Sequence, residues 1–154
     1  MTKSLFTLII ISFLMLLSCG KQKLVVEHNF ENNKWNAFKK VSIDTRIKKK
    51  ELAYKVAVNI VIDERFNSDD FIIGLSQTND EGESIYSSYT LPIKNSMGDF
   101  IESKNSDSLY IYNMVLRKKT YFNSDSIYHF TFENMMNKFY LEGMHSLSLE
   151  IIPL

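Results

Sequence analysis

The chain predicts an all-β fold: an antiparallel β-sandwich of about eight short strands, jelly-roll or Greek-key-like, behind an N-terminal lipoprotein signal peptide. Three observations carry this. Apolar residues recur with period two and almost nowhere at helical spacing. Asn, Asp, Gly and Ser punctuate the alternating runs at short intervals, as tight turns require. Residues 1–18 differ in composition from the rest, and residues 24–154 are long enough to bury a core as one domain.

In chain order, Lys3 supplies a cation, and Leu5 to Leu17 form an apolar run broken only by Thr7 and Ser12. This is the plan of a secretory signal, and it is shorter than the ~20 apolar residues a membrane-spanning helix needs. The run closes on Leu16-Leu17-Ser18-Cys19, a lipobox, so cleavage is expected before Cys19. Acylation there anchors the chain, because several acyl chains at about 0.8 kcal/mol per buried methylene hold stably where one binds marginally. Cys19 is therefore the expected lipidation site and membrane contact, with residues 19–23 as its tether. It is also the single cysteine, which leaves the domain no thiol for a disulfide, a metal site or nucleophilic catalysis.

Leu24 to Phe30 opens the domain, and Trp35 in the following connection is suited to plug one end of the core. Val41, Ile43 and Ile47 alternate with polar residues in a short strand. Tyr54, Val56, Val58, Ile60 and Ile62 mark the apolar face of a longer one. Phe71 to Gln77 and Ile85 to Ile93 flank Thr78-Asn79-Asp80-Glu81-Gly82, which predicts a hairpin. Pro92, Asn95, Gly98 and Ser103 to Ser106 predict a long irregular, mobile stretch before a strand at Ser108 to Arg117. Tyr128 to Phe132 and Leu147 to Ile152 complete the count, with a single helical turn expected within Glu133 to Leu141.

Charge narrows the function. Lys and Arg number 18 against 18 Asp and Glu, a net charge of zero that argues against the basic face nucleic acid demands. Lys48-Lys49-Lys50 and Arg117-Lys118-Lys119 are short and lie beside strands, where cations guard exposed edges. Catalytic signatures are missing too: His28, His129 and His145 lie far apart, and no metal-binding spacing occurs. Asp80, Glu81 and Glu83 lack EF-hand spacing and fit a polar hairpin tip, while Asp69-Asp70 fit a loop. Ser87-Ser88 lack the Gly-x-Ser-x-Gly elbow of a serine hydrolase. The expectation is a protein without enzymatic activity and without a cofactor.

Binding is the remaining class. Tyr110, Tyr112, Met114 and Leu116 share one face of their strand, and Leu109, Ile111 and Val115 the other, which predicts a central strand covered on both sides. Tyr86, Tyr89, Tyr121, Tyr128 and Tyr140 are amphipathic and suit sheet edges. Met135, Met136, Phe139, Tyr140 and Met144 form the candidate partner-binding cluster, because Met-rich surfaces adapt to partners. Two readings follow: a protein-interaction module, or a glycan-binding lipoprotein using Tyr rings as a stacking platform.

The motif order resembles the gliding-motility lipoprotein H (GldH) family of the Bacteroidetes. Lipobox Cys19 precedes a short β segment, Trp35, a Phe-containing lead into Val41 to Ile47, and the alternating strand from Tyr54 to Ile62 ending near Arg65. The closing segment is similar to the family's aromatic strand, Met-containing turn, Leu-x-Gly-hydrophobic step and last strand. It runs through Tyr128-His129-Phe130-Thr131-Phe132-Glu133-Asn134-Met135-Met136, Leu141-Glu142-Gly143-Met144 and Leu147-Ser148-Leu149-Glu150. Asn137 and Lys119 to Ser124 depart from the pattern. The resemblance implies a β-sandwich envelope lipoprotein, accessory to the machinery of gliding and the linked type IX secretion route, with protein partners there. The absence of Asp after Cys19 fits outer-membrane sorting, and Gly20-Lys21-Gln22-Lys23, without acidic residues, fits a periplasm-facing position.

Overall fold

The computed structural model describes residues 23–47, 51–122 and 126–154; Cys19 and the expected signal segment lie outside them. Ten strands form in chain order: β1 (Leu24–Asn29), β2 (Lys34–Asn36), β3 (Val41–Arg46), β4 (Tyr54–Ile62), β5 (Asp70–Asn79), β6 (Ser84–Pro92), β7 (Tyr110–Thr120), β8 (Ile127–Asn134), β9 (Tyr140–Glu142) and β10 (Met144–Pro153). Two four-stranded antiparallel sheets, β1-β10-β4-β7 and β3-β8-β5-β6, face each other, and β2 pairs with β9 as a short separate ribbon. Apart from the β5–β6 hairpin, each connection between consecutive strands of the two large sheets crosses from one to the other. That is the jelly-roll order.

The core follows from alternation. Val56, Val58, Ile60 and Ile62 of β4 point inward beside Leu147, Leu149 and Ile151 of β10, and face Phe71, Ile73, Leu75, Phe130 and Phe132 of the opposite sheet. Each such side chain contributes about 1.5–3 kcal/mol of burial free energy. Trp35 does plug one end: it is buried, stacks on Phe30 at 4.9 Å, and donates from Nε1 to the carbonyl of Lys39 at 2.7 Å.

Four local expectations are corrected. First, Glu133 to Leu141 contains no helical turn. Asn134 Oδ1 accepts from the amide of Met136 at 2.9 Å and bends the chain, after which residues 140–142 pair with β2. Second, β7 is an edge strand and not a central one, so its outer-face Ile111 and Val115 remain exposed.

Third, the stretch after Pro92 is built of two tight turns. Asn95 Oδ1 accepts from the amides of Met97 and Asp99 at 2.9 and 3.0 Å, and Asn105 Oδ1 accepts from those of Asp107 and Leu109 at 3.0 and 2.9 Å. The β5–β6 hairpin uses the same device at Asn79, and in all three turns the fourth residue (Gly82, Gly98, Ser108) takes positive φ. Fourth, two strands beyond the expected eight appear, β2 and β9. Three residues each, they are too short for alternation to announce them.

The topology gives the sandwich two poles. The register places both ends of the described domain together, since Leu24 pairs with Ile151 and Tyr54 with Pro153. The connections over residues 30–40, 63–69, 93–109 and 135–143 lie at the opposite pole.

Candidate functional site

The pole away from the termini gathers the exposed aromatic side chains of the 37–40 and 135–139 connections. Both connections leave the same end of the β2–β9 ribbon, where Asn36 pairs with Tyr140, and the amide of Ala37 donates to the carbonyl of Phe139 at 2.9 Å, which sets them side by side. Phe38 (76% exposed) and Phe139 (70% exposed) then meet edge to face, with ring centres 5.4 Å apart at 70°. Two large apolar rings held in water by the backbone make an apolar surface without a partner among the described residues.

The surface continues across the sheet. Met135 donates its amide to the carbonyl of Ile72 at 3.1 Å, and the amide of Ile72 lies 3.2 Å from the Met136 sulfur. The Tyr86 hydroxyl reaches the Met135 sulfur at 3.5 Å by lying over Gly74, where a Cβ would sit 2.5 Å from that hydroxyl. Phe139, Tyr140 and Met135 are exposed, and Met136 is half-buried against the core. Met144 is separated from this cluster: at 0% exposure it belongs to the core, because the turn at Gly143 directs it inward. Phe38, which pattern reading had not placed in the cluster, is its most exposed ring. Its signal was an aromatic set against Lys39-Lys40 with no alternating neighbour.

Beside the rings opens a cleft of about 360 Å³, lined by Trp35, Tyr140, Lys34, Lys39 and Lys40 among others. Its wall includes Asn32, and Asn32 and Asn33 both adopt φ of 54°. Lys34 pairs with Glu142 at 2.8 Å and Lys40 with Glu133 at 2.6 Å, both in water, where such pairs add little stability.

The titratable groups form two clusters that serve the fold, one at this pole around Asp63 and one on the outer face of the other sheet around His129. Asp63 bonds Arg65 at 2.5 Å and the His145 ring at 2.8 Å. The Arg65 guanidinium, assisted by His145 and opposed by burial, holds its carboxyl well below the usual carboxylate range. His129 lies on the outer face, with Nδ1 2.8 Å from Asp44 and Nε2 3.4 Å from Asp80, and these carboxylates, Asp44 foremost, raise its pKa. No group of three or more metal-ligating side chains occurs among the described residues. Ser87 and Ser88 lie mid-strand on β6.

The fold and this pole define a class: a small jelly-roll domain whose loops at one end present an apolar aromatic surface. Its family is given by a match of the GldH lipoprotein family over residues 25–151, and the chain belongs to that family. Membership makes it a gliding-motility-associated lipoprotein of the cell envelope, anchored to a membrane, in a family not known for enzymatic activity. No curated protein matches the chain.

Among solved structures, the crystal structure of tripeptidyl peptidase 2 (TPP II) is similar with a TM-score of 0.52 and 8% identity, covering 86% of this chain but 10% of that one. The infectious bursal disease virus VP2 subviral particle is similar at a TM-score of 0.41 and 9% identity, over 85% of this chain and 32% of that one. At such identity the peptidase likeness concerns the fold alone.

Proposed function

We propose that this protein is an acylated outer-membrane lipoprotein, held through Cys19 and facing the periplasm. Its jelly roll is an accessory, structural component of a gliding or type IX secretion apparatus, and it binds a protein partner. The observation that carries the reading is the set of exposed apolar side chains, the touching rings of Phe38 and Phe139 with Tyr140 and Met135, at the pole opposite the ends of the described domain. A tether entering at one pole presents the other to whatever stands off the membrane. The geometry also favours protein over glycan, since a stacking platform needs coplanar rings and Phe38 and Phe139 stand at 70° to one another.

Aromatic anchors of this kind each carry about 1–2 kcal/mol or more of binding free energy. Phe38→Ser with Phe139→Ser in the full-length acylated protein should therefore weaken partner recovery by at least about tenfold. Affinity purification from detergent-solubilised native membranes, with mass spectrometry, reads this. Motility or secretion components recovered with the wild type and lost with an equally stable double variant support the reading. Recovery of the protein alone, with bound polysaccharide, or with components indifferent to the substitutions overturns it.

A further inference from the structure

Of the four edges of the two large sheets, three are guarded. β1 carries Glu27 and His28; β3 carries Asp44 and Arg46; β7 carries Arg117, Lys118 and Lys119 and meets β4 through register irregularities. Charges and bulges of this kind keep foreign strands from adding to a sheet. The fourth edge, β6, has neither. Its sequence Ser-Ile-Tyr-Ser-Ser-Tyr-Thr-Leu-Pro contains no charged residue, and its register against β5 is unbroken from Thr78↔Ser84 to Asp70↔Pro92. It is nine residues long, ends the strand order, and leaves Ile85 51% exposed on its core-facing side.

The ladder tells which backbone groups are free. The amide of Asn79 donates to the carbonyl of Glu83 at 3.1 Å, and at the far end that of Ile93 donates to the carbonyl of Asp69 at 2.8 Å. In an antiparallel ladder hydrogen-bonded pairs alternate, so residues 85, 87, 89 and 91 bond inward to β5. Ser84, Tyr86, Ser88 and Thr90 therefore turn both N–H and C=O toward the open side. Pro92 occupies the next outward position, where its missing donor costs the ladder nothing and ends the pairing edge.

We propose that β6 is a strand-addition site that accepts an extended segment of a partner protein. The segment's chemistry follows from the strand: apolar residues at alternate positions to cover Ile85, Tyr89 and Leu91, and small polar ones between them beside Ser84, Ser88 and Thr90. A second copy of this chain does not fit. Antiparallel β6–β6 pairing relates the copies by a twofold axis that inverts one sandwich and carries its Lys23 to the opposite pole, about 30 Å away along the strands. With the strands standing off the membrane, as the reading above has them, one copy would have to span that distance with residues 19–23, which reach at most about 18 Å, so both copies could not be anchored through Cys19 in one membrane. The proposal rests on the anchored-interaction reading above and adds the mode and place of contact.

The test places a benzoylphenylalanine photo-cross-linker at position 88, then at 86 and 90, of the full-length acylated protein in native membranes, and maps the cross-linked peptides. A parallel set carries the cross-linker at position 38. The expected result is one stretch of one partner, with contacts stepping along it as the cross-linker moves. Contacts from positions 86 and 90 should be lost when the same protein carries Ser88→Pro, which removes an outward donor, or Ser88→Lys, while the thermal melt is unchanged. Cross-links to another copy of this chain, to lipid, or to scattered proteins overturn the proposal, as do cross-links indifferent to both substitutions. Cross-links from position 38 with none from β6 overturn it too, and leave the interaction reading standing.

Discussion

Gly143 shows what a single residue does here. It holds φ of +73°, and a Cβ on it would lie 2.6 Å from Asp63 Oδ1 and 2.7 Å from the Phe66 amide. Its carbonyl accepts from the Asp63 amide at 2.9 Å, so the turn before β10 is clasped to the end of β4. Gly143→Ala combines a left-handed backbone with a clash against main chain, and should lower stability by about 1–3 kcal/mol. A urea unfolding midpoint that does not move would contradict this account. The Leu141-Glu142-Gly143-Met144 step was legible only as a Leu-x-Gly-hydrophobic step of the family pattern, and its docking against residues 63–66 was not legible. Contacts between distant segments leave no trace in local pattern. Met144 was misplaced for a related reason: periodicity identifies a methionine as apolar without saying which side of a turn it leaves from.

At the scale of elements, alternation revealed β4, β5, β8 and most of β10, because a half-buried strand writes its inner face into every second residue. It could not rank strands within a sheet. β7 looks apolar on both faces in sequence, yet it is an edge. The Asn-headed turns were legible in principle, since Asn79, Asn95 and Asn105 each stand three residues before a Gly or Ser. Elements also couple through charge: His129 of β8 sits between Asp44 of β3 and Asp80 of the β5–β6 turn.

These carboxylates raise the His129 pKa above its ordinary 6.5, and a raised pKa stabilises the fold fully below the unfolded value. The contribution is lost as pH climbs through the folded one. His129→Gln should therefore narrow the stability difference between about pH 5.5 and about pH 8.5, with the larger deficit relative to wild type on the acidic side. Chemical denaturation at both pH values checks the sign. An equal deficit at both would mean that the pairs do not hold the proton.

For the whole molecule, the consequence of the jelly roll is polarity. Both ends of the described domain share one pole, so on the proposed reading a single lipid attachment before Lys23 orients the domain, with the Phe38–Phe139 pole outermost and the β6 edge running along the side. None of this was legible without the topology, because sequence spacing does not reveal which connections share an end. On the proposed reading the orientation depends on the anchor at Cys19, whereas the described core is built from residues 30–151. Cys19→Ala should thus yield an unprocessed or mislocalised precursor whose domain unfolds at the same denaturant concentration as the wild type, with partner recovery from membranes lost. Fractionation with mass measurement of the amino terminus reads processing, and denaturation of the purified variant reads the fold. Normally acylated protein recovered from Cys19→Ala would sink the anchor. A weakened fold would mean that residues before Lys23 take part in the domain's stability, and the two-pole account would then have to include them.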